Sequence, residues 1–215
     1  MDYLKRKRIL LGEEHNILLV ALARLLQDDF DVIGTATDGH ELVRAAVKTK
    51  PDVIVSSIMM PSLNGIGILE KIRKQNLACK IIFLTSVTEG HIAKQAFSAG
   101  ASGYILRDGT YEELKSAIHT VLRGNTYVSP EMAGPIVDAF RRPGRSKVAL
   151  DGLTPREREV LQLVTEGKSA KEVAKVLNIS PRTVEFHKYA MMSKLNLKTT
   201  SDLIRHAIRI GLIPG

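Results

Sequence analysis

The sequence predicts an α/β fold, a doubly wound parallel sheet, followed by a separate all-helical domain. Over the first 125 residues, short apolar runs alternate five times with helical patterns, which is typical of a (βα)5 order with helices on both faces of a parallel sheet. From residue 151 onward the pattern is helical throughout. The stretch between them is polar, basic and interrupted by Pro143-Gly144, which indicates an interdomain linker over residues 126–150 with a short helix near 130–140.

The elements of the first domain follow from the periodicity of its apolar residues. We expect strands at Ile9–Leu11, Asp31–Thr35, Val53–Val55, Lys80–Thr85 and Gly103–Leu106. We expect helices over 16–27, 41–50, 65–75, 89–99 and 110–123, the first with Leu18, Ala21, Leu22 and Leu25 on one face. In such sheets the functional crevice lies at the carboxyl ends of the strands, so the residues that follow each strand are the candidates for a site.

Three helix starts are evident in the last third of the chain. Thr154-Pro155-Arg156-Glu157 and Ser169-Ala170-Lys171-Glu172 are capping boxes, and Ser180-Pro181 combines a serine cap with a first-turn proline. Gly167 and Asn178 are expected to end the first two helices. A short helix, a tight turn and a longer helix form the helix-turn-helix pattern of DNA-binding proteins.

The longer helix has two different faces. We expect Val184, Met191 and Leu195 to form its buried seam. The opposite arc would enter the major groove of double-stranded DNA. That arc comprises Arg182, Glu185, Phe186, Tyr189 and Ser193. Phosphate contacts are expected from Lys168, Lys171, Thr183 and Lys188. A solvated helical face is the alternative, but two aromatic side chains on an exposed arc favour binding.

Charge supports a polyanionic partner for the C-terminal part only. Residues 1–140 carry 16 basic and 16 acidic residues, whereas residues 141–150 carry four basic and no acidic ones. Residues 151–215 carry 11 basic and seven acidic residues. The single cysteine, Cys79, excludes an intrachain disulfide, and no apolar run approaches the roughly 18 residues of a membrane span. We therefore expect a cytoplasmic protein with no membrane partner.

The helical part resembles a known family. The segments LTPREREVL (153–161), EGKS (166–169), EVA (172–174) and ISPRTVEFH (179–187) closely resemble the LuxR/NarL-type DNA-binding domain over about 60 residues. The resemblance implies a four-helix domain over 151–215 whose third helix reads DNA and whose fourth contacts a second copy. The candidates for that homodimer contact are Leu203, Ile204, Ala207 and Ile210, although some of them could instead pack the domain's own core. Glu185, where the family often has lysine, would accept from cytosine N4 or stay solvated.

The first 125 residues resemble the receiver domain of two-component response regulators. The resemblance is carried by RILLGEEH (8–15), PDVIV (51–55), Met60-Pro61 with Asn64-Gly65, Leu84-Thr85 and AGASGYIL (99–106). It implies a pocket in which an acid pair binds Mg²⁺, an aspartate accepts a phosphoryl group, and a Ser/Thr and a Lys complete the set. The matching positions in this chain are Glu13, Glu14, Ser57, Thr85 and Arg107.

Two of these positions depart from the family in ways that bear on phosphorylation. Ser57 stands at the acceptor position, and a serine can neither form an acyl phosphate nor supply a carboxylate to Mg²⁺, so we expect no metal or other cofactor. Arg107 stands at the lysine position, where it would pair bidentately with Glu13 or Glu14. Thr85 and Tyr104 match the family's switch pair, and they are either a surviving switch or simply packed at a strand end.

The sequence therefore predicts a sequence-specific DNA-binding transcription regulator, not an enzyme, that acts as a homodimer and independently of phosphorylation. Several alternatives stay open. The receiver could be phosphorylated at Asp52, although that residue begins its strand, or a kinase could modify Ser57. A small ligand in the crevice could gate the protein, or the chain could sequester another regulator. A flavodoxin-like enzyme with a DNA-binding tail is a further alternative, but no Gly-rich fingerprint or nucleophile–base set supports it.

Overall fold

The computed structural model describes residues 6–141 and 152–213. The chain divides into two compact units, Met1–Arg142 and Pro143–Gly215. Each unit has its own apolar core, as the two parts of the sequence predict. Residues 142–150 of the predicted linker lie outside the described residues.

The first unit is built on one parallel sheet. Its strands are β1 (Arg8–Gly12), β2 (Asp31–Ala36), β3 (Val53–Ser56), β4 (Lys80–Thr85), β5 (Gly103–Leu106) and β6 (Tyr127–Val128). Their order across the sheet is β2-β1-β3-β4-β5-β6, and every neighbouring pair is parallel. The predicted strands thus lie where the apolar runs placed them, and their carboxyl ends share one edge of the sheet.

Helices cover both faces of this sheet. They are α1 (Asn16–Leu26), α2 (Gly39–Thr49), α3 (Gly65–Lys74), α4 (Gly90–Ala99), α5 (Tyr111–Leu122) and α6 (Pro130–Arg141). Residues of α1 and α5 share one core cluster, and residues of α2, α3, α4 and α6 share the other. The sheet is therefore doubly wound, which confirms the predicted fold class.

The predicted linker boundary at residue 125 is wrong, because residues 127–141 form a sixth βα unit. The short strand β6 pairs with β5, and Met132 of α6 is buried in the same core as α4. Lys94 of α4 donates a hydrogen bond of 3.0 Å to the Ala139 carbonyl near the end of α6. A side chain at Gly90 would place its Cβ 2.0 Å from the Pro135 carbonyl oxygen, so the glycine allows α4 and α6 to approach closely.

The apolar face predicted for α1 packs on the core only in part, because Leu22 contacts the core whereas Ala21 and Leu25 are exposed. The structure buries Leu19 and Leu26, whereas Leu25 is exposed. Apolar residues occur on every side of α1. The spacing of its apolar residues therefore does not show which side is buried. Packing against the sheet makes the selection instead, and it leaves several apolar side chains of α1 in solvent.

The second unit contains four helices among its described residues. They are α7 (Pro155–Thr165), α8 (Ala170–Leu177), α9 (Pro181–Lys194) and α10 (Thr200–Arg209). Both predicted capping boxes are present, and Ser180 caps α9 as predicted. Asn178 ends α8 in the left-handed conformation with φ 53°. A third capping box, between Thr199 and Asp202, starts α10 and was not predicted.

An ion pair between a buried carboxylate and an exposed lysine joins the first and third of these helices. The Lys194 ammonium donates to Glu157 Oε1 at 2.7 Å and to Oε2 at 2.9 Å. Burial alone would raise the pKa of Glu157, but the hydrogen bonds from Lys194 and from the Thr154 backbone N–H and hydroxyl outweigh it and lower the pKa. Glu157, the glutamate of the α7 capping box, therefore also anchors the C-terminal end of α9.

No helix within residues 6–141 and 152–213 has the length and apolar character to cross a bilayer.

Candidate functional sites

The first candidate site lies at the carboxyl edge of the sheet. Glu13 follows β1, Ser57 follows β3, Thr85 ends β4 and Arg107 follows β5. Glu13, Ser57 and Thr85 are all at most 2% exposed, so the pocket places polar groups in a poorly solvated setting. Because parallel strands bring their carboxyl ends together, residues 94 positions apart meet here, as Arg107 and Glu13 do.

One nitrogen of Arg107 organises this pocket. Nη2 donates to Glu13 Oε2 at 2.6 Å and to the Ser57 hydroxyl at 3.1 Å, and Glu14 Oε1 lies 3.4 Å away. The expected ion pair is present, but its predicted bidentate geometry is wrong, because all three contacts use Nη2. Nε of Arg107 is buried and has no hydrogen-bond partner among the described residues. The guanidinium thus reaches three strand-end groups with one nitrogen rather than forming a fork with one carboxylate.

The residues present do not fit the Mg²⁺ ion that a receiver pocket implies. Glu13, Glu14 and His15 offer ligand atoms that lie within 4.8 Å of one another. Glu13 Oε1 already accepts from His15 Nδ1 at 2.7 Å, and its Oε2 is the partner of Arg107. A fixed guanidinium at 2.6 Å repels a divalent cation, and Ser57 supplies no carboxylate. We therefore derive no chemistry through a metal ion here.

Thr85 and Tyr104 both hold the backbone of Val87. The Thr85 hydroxyl accepts from the Val87 N–H at 3.1 Å, and the Tyr104 hydroxyl donates to the Val87 carbonyl at 2.9 Å. Tyr104 is fully buried, and this burial raises the pKa of its phenol well above the usual range. In this conformation the two residues fix the loop that leads into α4.

The second candidate site is the exposed arc of α9. Phe186 is 70% exposed and Tyr189 is 66% exposed, while Val184 and Met191 on the opposite side are buried. Leu195, the third predicted seam residue, is partly buried against the same core. Leaving two aromatic rings in solvent is costly, which favours a partner for this arc.

The other predicted DNA-contact residues are polar and lie in α9 or at the start of α8. Arg182 and Lys171 are exposed, and Thr183 shares a hydrogen bond of 2.8 Å with the hydroxyl of Ser180. Lys168 Nζ donates to Glu166 at 3.1 Å, and Lys188 Nζ lies 3.8 Å from Glu185. The predicted DNA-contact residues lie in α9, in the first turn of α8 and in the turn before α8, and each is exposed or partly exposed.

The predicted dimer face of α10 needs correction. Leu203, Ala207 and Ile210 are at most 2% exposed and belong to the core of the second unit. Only Ile204 of the predicted set is exposed, together with Ile208 one turn later. The apolar side of α10 packs on the core of its own unit. Its amphipathic spacing is explained by this packing and does not require a second copy.

Two family models match the chain. Residues 9–119 match the response regulator receiver domain, and residues 151–207 match the bacterial regulatory proteins of the luxR family. The chain belongs to the LuxR family of response regulators. It is thus a DNA-binding regulator of transcription with a receiver domain.

Individual relatives span nearly the whole of this LuxR-family chain. The oxygen regulatory protein NreC of Staphylococcus carnosus is 33% identical over 96% of this chain and 99% of its own length. The transcriptional regulatory protein LiaR of Bacillus subtilis is 34% identical, with the same two coverages. RcsB of Salmonella enterica serovar Typhimurium, solved bound to a promoter, has a TM-score of 0.59 at 23% identity and covers 95% of this chain and 99% of its own. This last likeness shows the fold.

One set of surface residues was missed by the sequence reasoning. Ile17 of α1 is 89% exposed, Val20 is 69% exposed, and Leu25 is exposed on the same side. With Ala21 and Arg24 they form a line at helical spacing, which we name the α1 stripe. The sequence of α1 did contain a signal for this surface, because it is apolar on all sides of the helix. A helix of that kind at the surface of a small domain leaves one apolar side exposed to solvent.

Proposed function

We propose that this LuxR-family regulator works without a phosphorylated receiver. The observation that supports this is the contact set of Arg107. Its guanidinium pairs with Glu13, approaches Glu14 and donates to Ser57, the residue at the acceptor position. Because the guanidinium already occupies the space between both acids and Ser57, its positive charge disfavours a metal ion there and is engaged before a phosphoryl group arrives. Ser57 offers a hydroxyl where an acyl phosphate needs a carboxylate.

The test compares the natural chain with a variant in which the family residues are restored. Acetyl phosphate or beryllofluoride with Mg²⁺ is expected to change neither the sedimentation coefficient nor the affinity for DNA of the natural chain. Ser57→Asp combined with Arg107→Lys supplies an acceptor and a lysine, and it serves as the control that can respond. A clear gain in DNA affinity or in oligomer size by the natural chain would overturn the proposal.

The regulator is proposed to read specific DNA sites through the arc of α9. In this arrangement Phe186 and Tyr189 contact base edges or thymine methyl groups, and Arg182 contacts a base or phosphate. Support comes from the exposure of both rings and from the basic excess of residues 141–215. Selection of bound sites from random-sequence DNA tests this reading, and recovery of no common motif would contradict it.

A homodimer formed through the α1 stripe is the third part of the proposal. The stripe's spacing, at positions 17, 20, 21, 24 and 25, is that of a helix that packs lengthwise on another helix. A two-fold axis would pair the stripe with itself and cover the same apolar side chains on both copies. Within the second unit, Ile204 and Ile208 offer a smaller exposed pair on α10 for the same partner.

Sedimentation analysis of charged variants tests the dimer. Val20→Asp is expected to raise the dimer dissociation constant at least tenfold, because it places a charge in the centre of the proposed interface. Val47→Asp is the matched control, since Val47 is an exposed valine on α2, away from the stripe. A natural chain that stays monomeric on DNA, or an equal effect of both substitutions, would contradict the proposal.

A further inference from the structure

A surface pocket of about 300 Å³ lies where the starts of α8 and α10 meet α9. Two lysines line it, Lys168 from the turn before α8 and Lys188 from the middle of α9. Ser169, the N-cap of α8, and Thr200, the first residue of α10, line it too. We name this the lysine pocket. Two ammonium groups beside two helix starts can bind an anion, provided that the carboxylates of Glu172 and Glu185, which line the pocket as well, are held elsewhere.

Each of these lysines is paired with a nearby carboxylate. Lys168 Nζ donates to Glu166 Oε2 at 3.1 Å, and Lys188 Nζ lies 3.8 Å from Glu185 Oε2. The carboxylate of Glu185 is 42% exposed, so its pair with Lys188 is of the solvent-screened kind that contributes little stability. Such a pair can open at small cost when a more highly charged anion arrives. Glu172, which also lines the pocket, is engaged with the N–H and hydroxyl of Ser169.

The orientation of Glu185 bears on what this residue does. Its side chain lines the lysine pocket and leans toward Lys188, which is three residues further along α9. The exposed rings of Phe186 and Tyr189 lie on the adjoining arc of the helix. Lys188 itself is only 24% exposed, and it lines the pocket together with Glu185. The two residues therefore act as one unit at the edge of the arc.

We propose that the lysine pocket holds one DNA backbone phosphate, shared by Lys168 and Lys188, and that Glu185 competes with that phosphate for Lys188 instead of reading cytosine. This inference rests on the proposed function, since it needs α9 in the major groove of DNA. A phosphate oxygen replaces the Glu185 carboxylate beside Lys188, and the freed carboxylate turns to solvent. Glu185 then lowers the affinity for every DNA sequence equally. Tight binding to DNA therefore depends more on the other contacts of the domain.

The salt dependence of DNA binding tests whether one phosphate is shared. Lys168→Gln, Lys188→Gln and the double variant are titrated against a mixed-sequence duplex of 20 base pairs at several KCl concentrations, with fluorescence anisotropy as the readout. Each phosphate contact contributes about 0.9 to the slope of log K against log salt. A shared phosphate predicts that the double variant loses about 0.9 in total, with each single variant losing less. Loss of about 1.8 by the double variant would show two separate phosphates and overturn the shared pocket.

Lys175→Gln is the matched control for charge, because Lys175 is an exposed lysine of α8 that does not line the pocket. It is expected to leave the slope unchanged to within about 0.3, a third of one phosphate contact. Unchanged slopes for all the lysine variants would also overturn the inference. If the natural chain bound no duplex at all, the proposed function would fail first, and the two failures are thereby distinguished.

Glu185→Gln separates competition from base reading. Competition predicts that this variant binds all duplexes about threefold more tightly, the size expected for a screened surface ion pair. The sequence preference measured by site selection is expected to stay the same. Reading of cytosine N4 predicts the reverse, a loss of preference at one base pair with little change on mixed-sequence DNA. That second outcome, or weaker binding to every duplex, would overturn the assigned role of Glu185.

Discussion

Replacing Arg107 with methionine measures how much this cation contributes to the free energy of unfolding of the first unit. The substitution keeps a long apolar stem and removes the contacts of Nη2 to Glu13 at 2.6 Å and to Ser57 at 3.1 Å. Glu13 is 2% exposed and would keep only His15 and backbone groups as partners. An ionised carboxylate would then stay buried without its cation, which is the costly way to break an ion pair.

The magnitude follows from the burial of the two partners. Removing one member of a buried ion pair costs about 3–5 kcal/mol. Arg107 is 22% exposed, so water reaches one side of the pocket, and we expect the lower end of that range, about 3 kcal/mol. This corresponds to roughly a 150-fold change in the unfolding equilibrium of the first unit. For a unit of this size the melting temperature falls by about 10 °C.

Amide hydrogen exchange of strands β1, β3 and β5 is the suitable assay, because it reports the free energy of unfolding of the first unit separately from the second. Arg123→Met is the matched control, since Arg123 is exposed and its side chain donates to the nearby Thr120 hydroxyl rather than to a buried carboxylate. Adding Glu13→Gln to the Arg107→Met variant removes the unpaired charge and is expected to restore part of the loss. A loss below about 0.5 kcal/mol for Arg107→Met, the range of ordinary surface substitutions, would refute the buried-pair reasoning.

Three further predictions concern the other contacts described above. Lys194→Met is expected to destabilise the second unit by about 2 kcal/mol, because it leaves Glu157 buried without a cation, and denaturant unfolding measures it. The pKa of Glu157 in the folded protein lies below its ordinary value of 4.5. The natural pair therefore stabilises the second unit fully above pH 4.5 and loses its contribution as the pH falls through the folded pKa. A free energy of unfolding that does not change in acid would contradict this. Phe186→Ala and Tyr189→Ala are expected to weaken binding to a selected operator about tenfold or more and to mixed-sequence DNA far less, and equal losses would argue against base reading. Gly90→Ala is expected to speed hydrogen exchange in α6, because its Cβ would lie 2.0 Å from a carbonyl oxygen of that helix, and unchanged protection would argue against the close approach.

Several features of the fold depend on interactions between residues close in sequence, and the sequence predicted these well. The capping boxes at Thr154 and Ser169 form because a cap hydroxyl and a glutamate three residues later meet within one turn. The strands lie at their apolar runs because continuous apolar segments are suited to a sheet covered on both faces. The members of the receiver pocket were implied by the resemblance to receiver domains, and the convergence of strand ends in a parallel sheet brings them together.

The wrong predictions concern which apolar side of a helix is buried and what it packs against. Nothing local to α1 distinguishes Leu19, which is buried, from Ile17, which is exposed, because both are aliphatic residues of the same helix. The apolar face of α10 was assigned in part to a partner, although Leu203 and Ala207 pack into their own domain. Amphipathic spacing shows that a helix buries a side, but it does not say against what.

By itself, then, the sequence determined the two domains, the order of strands and helices, the helix caps and the arc of α9, and its resemblance to receiver domains implied the residues of the receiver pocket. Only the tertiary structure decided that β6 and α6 complete the first unit, that Arg107 uses a single nitrogen for three partners, and that Glu185 leans toward Lys188. The physical reason is the range of the interactions. Caps and apolar periods act within a few residues, whereas these contacts depend on how whole helices and strands pack.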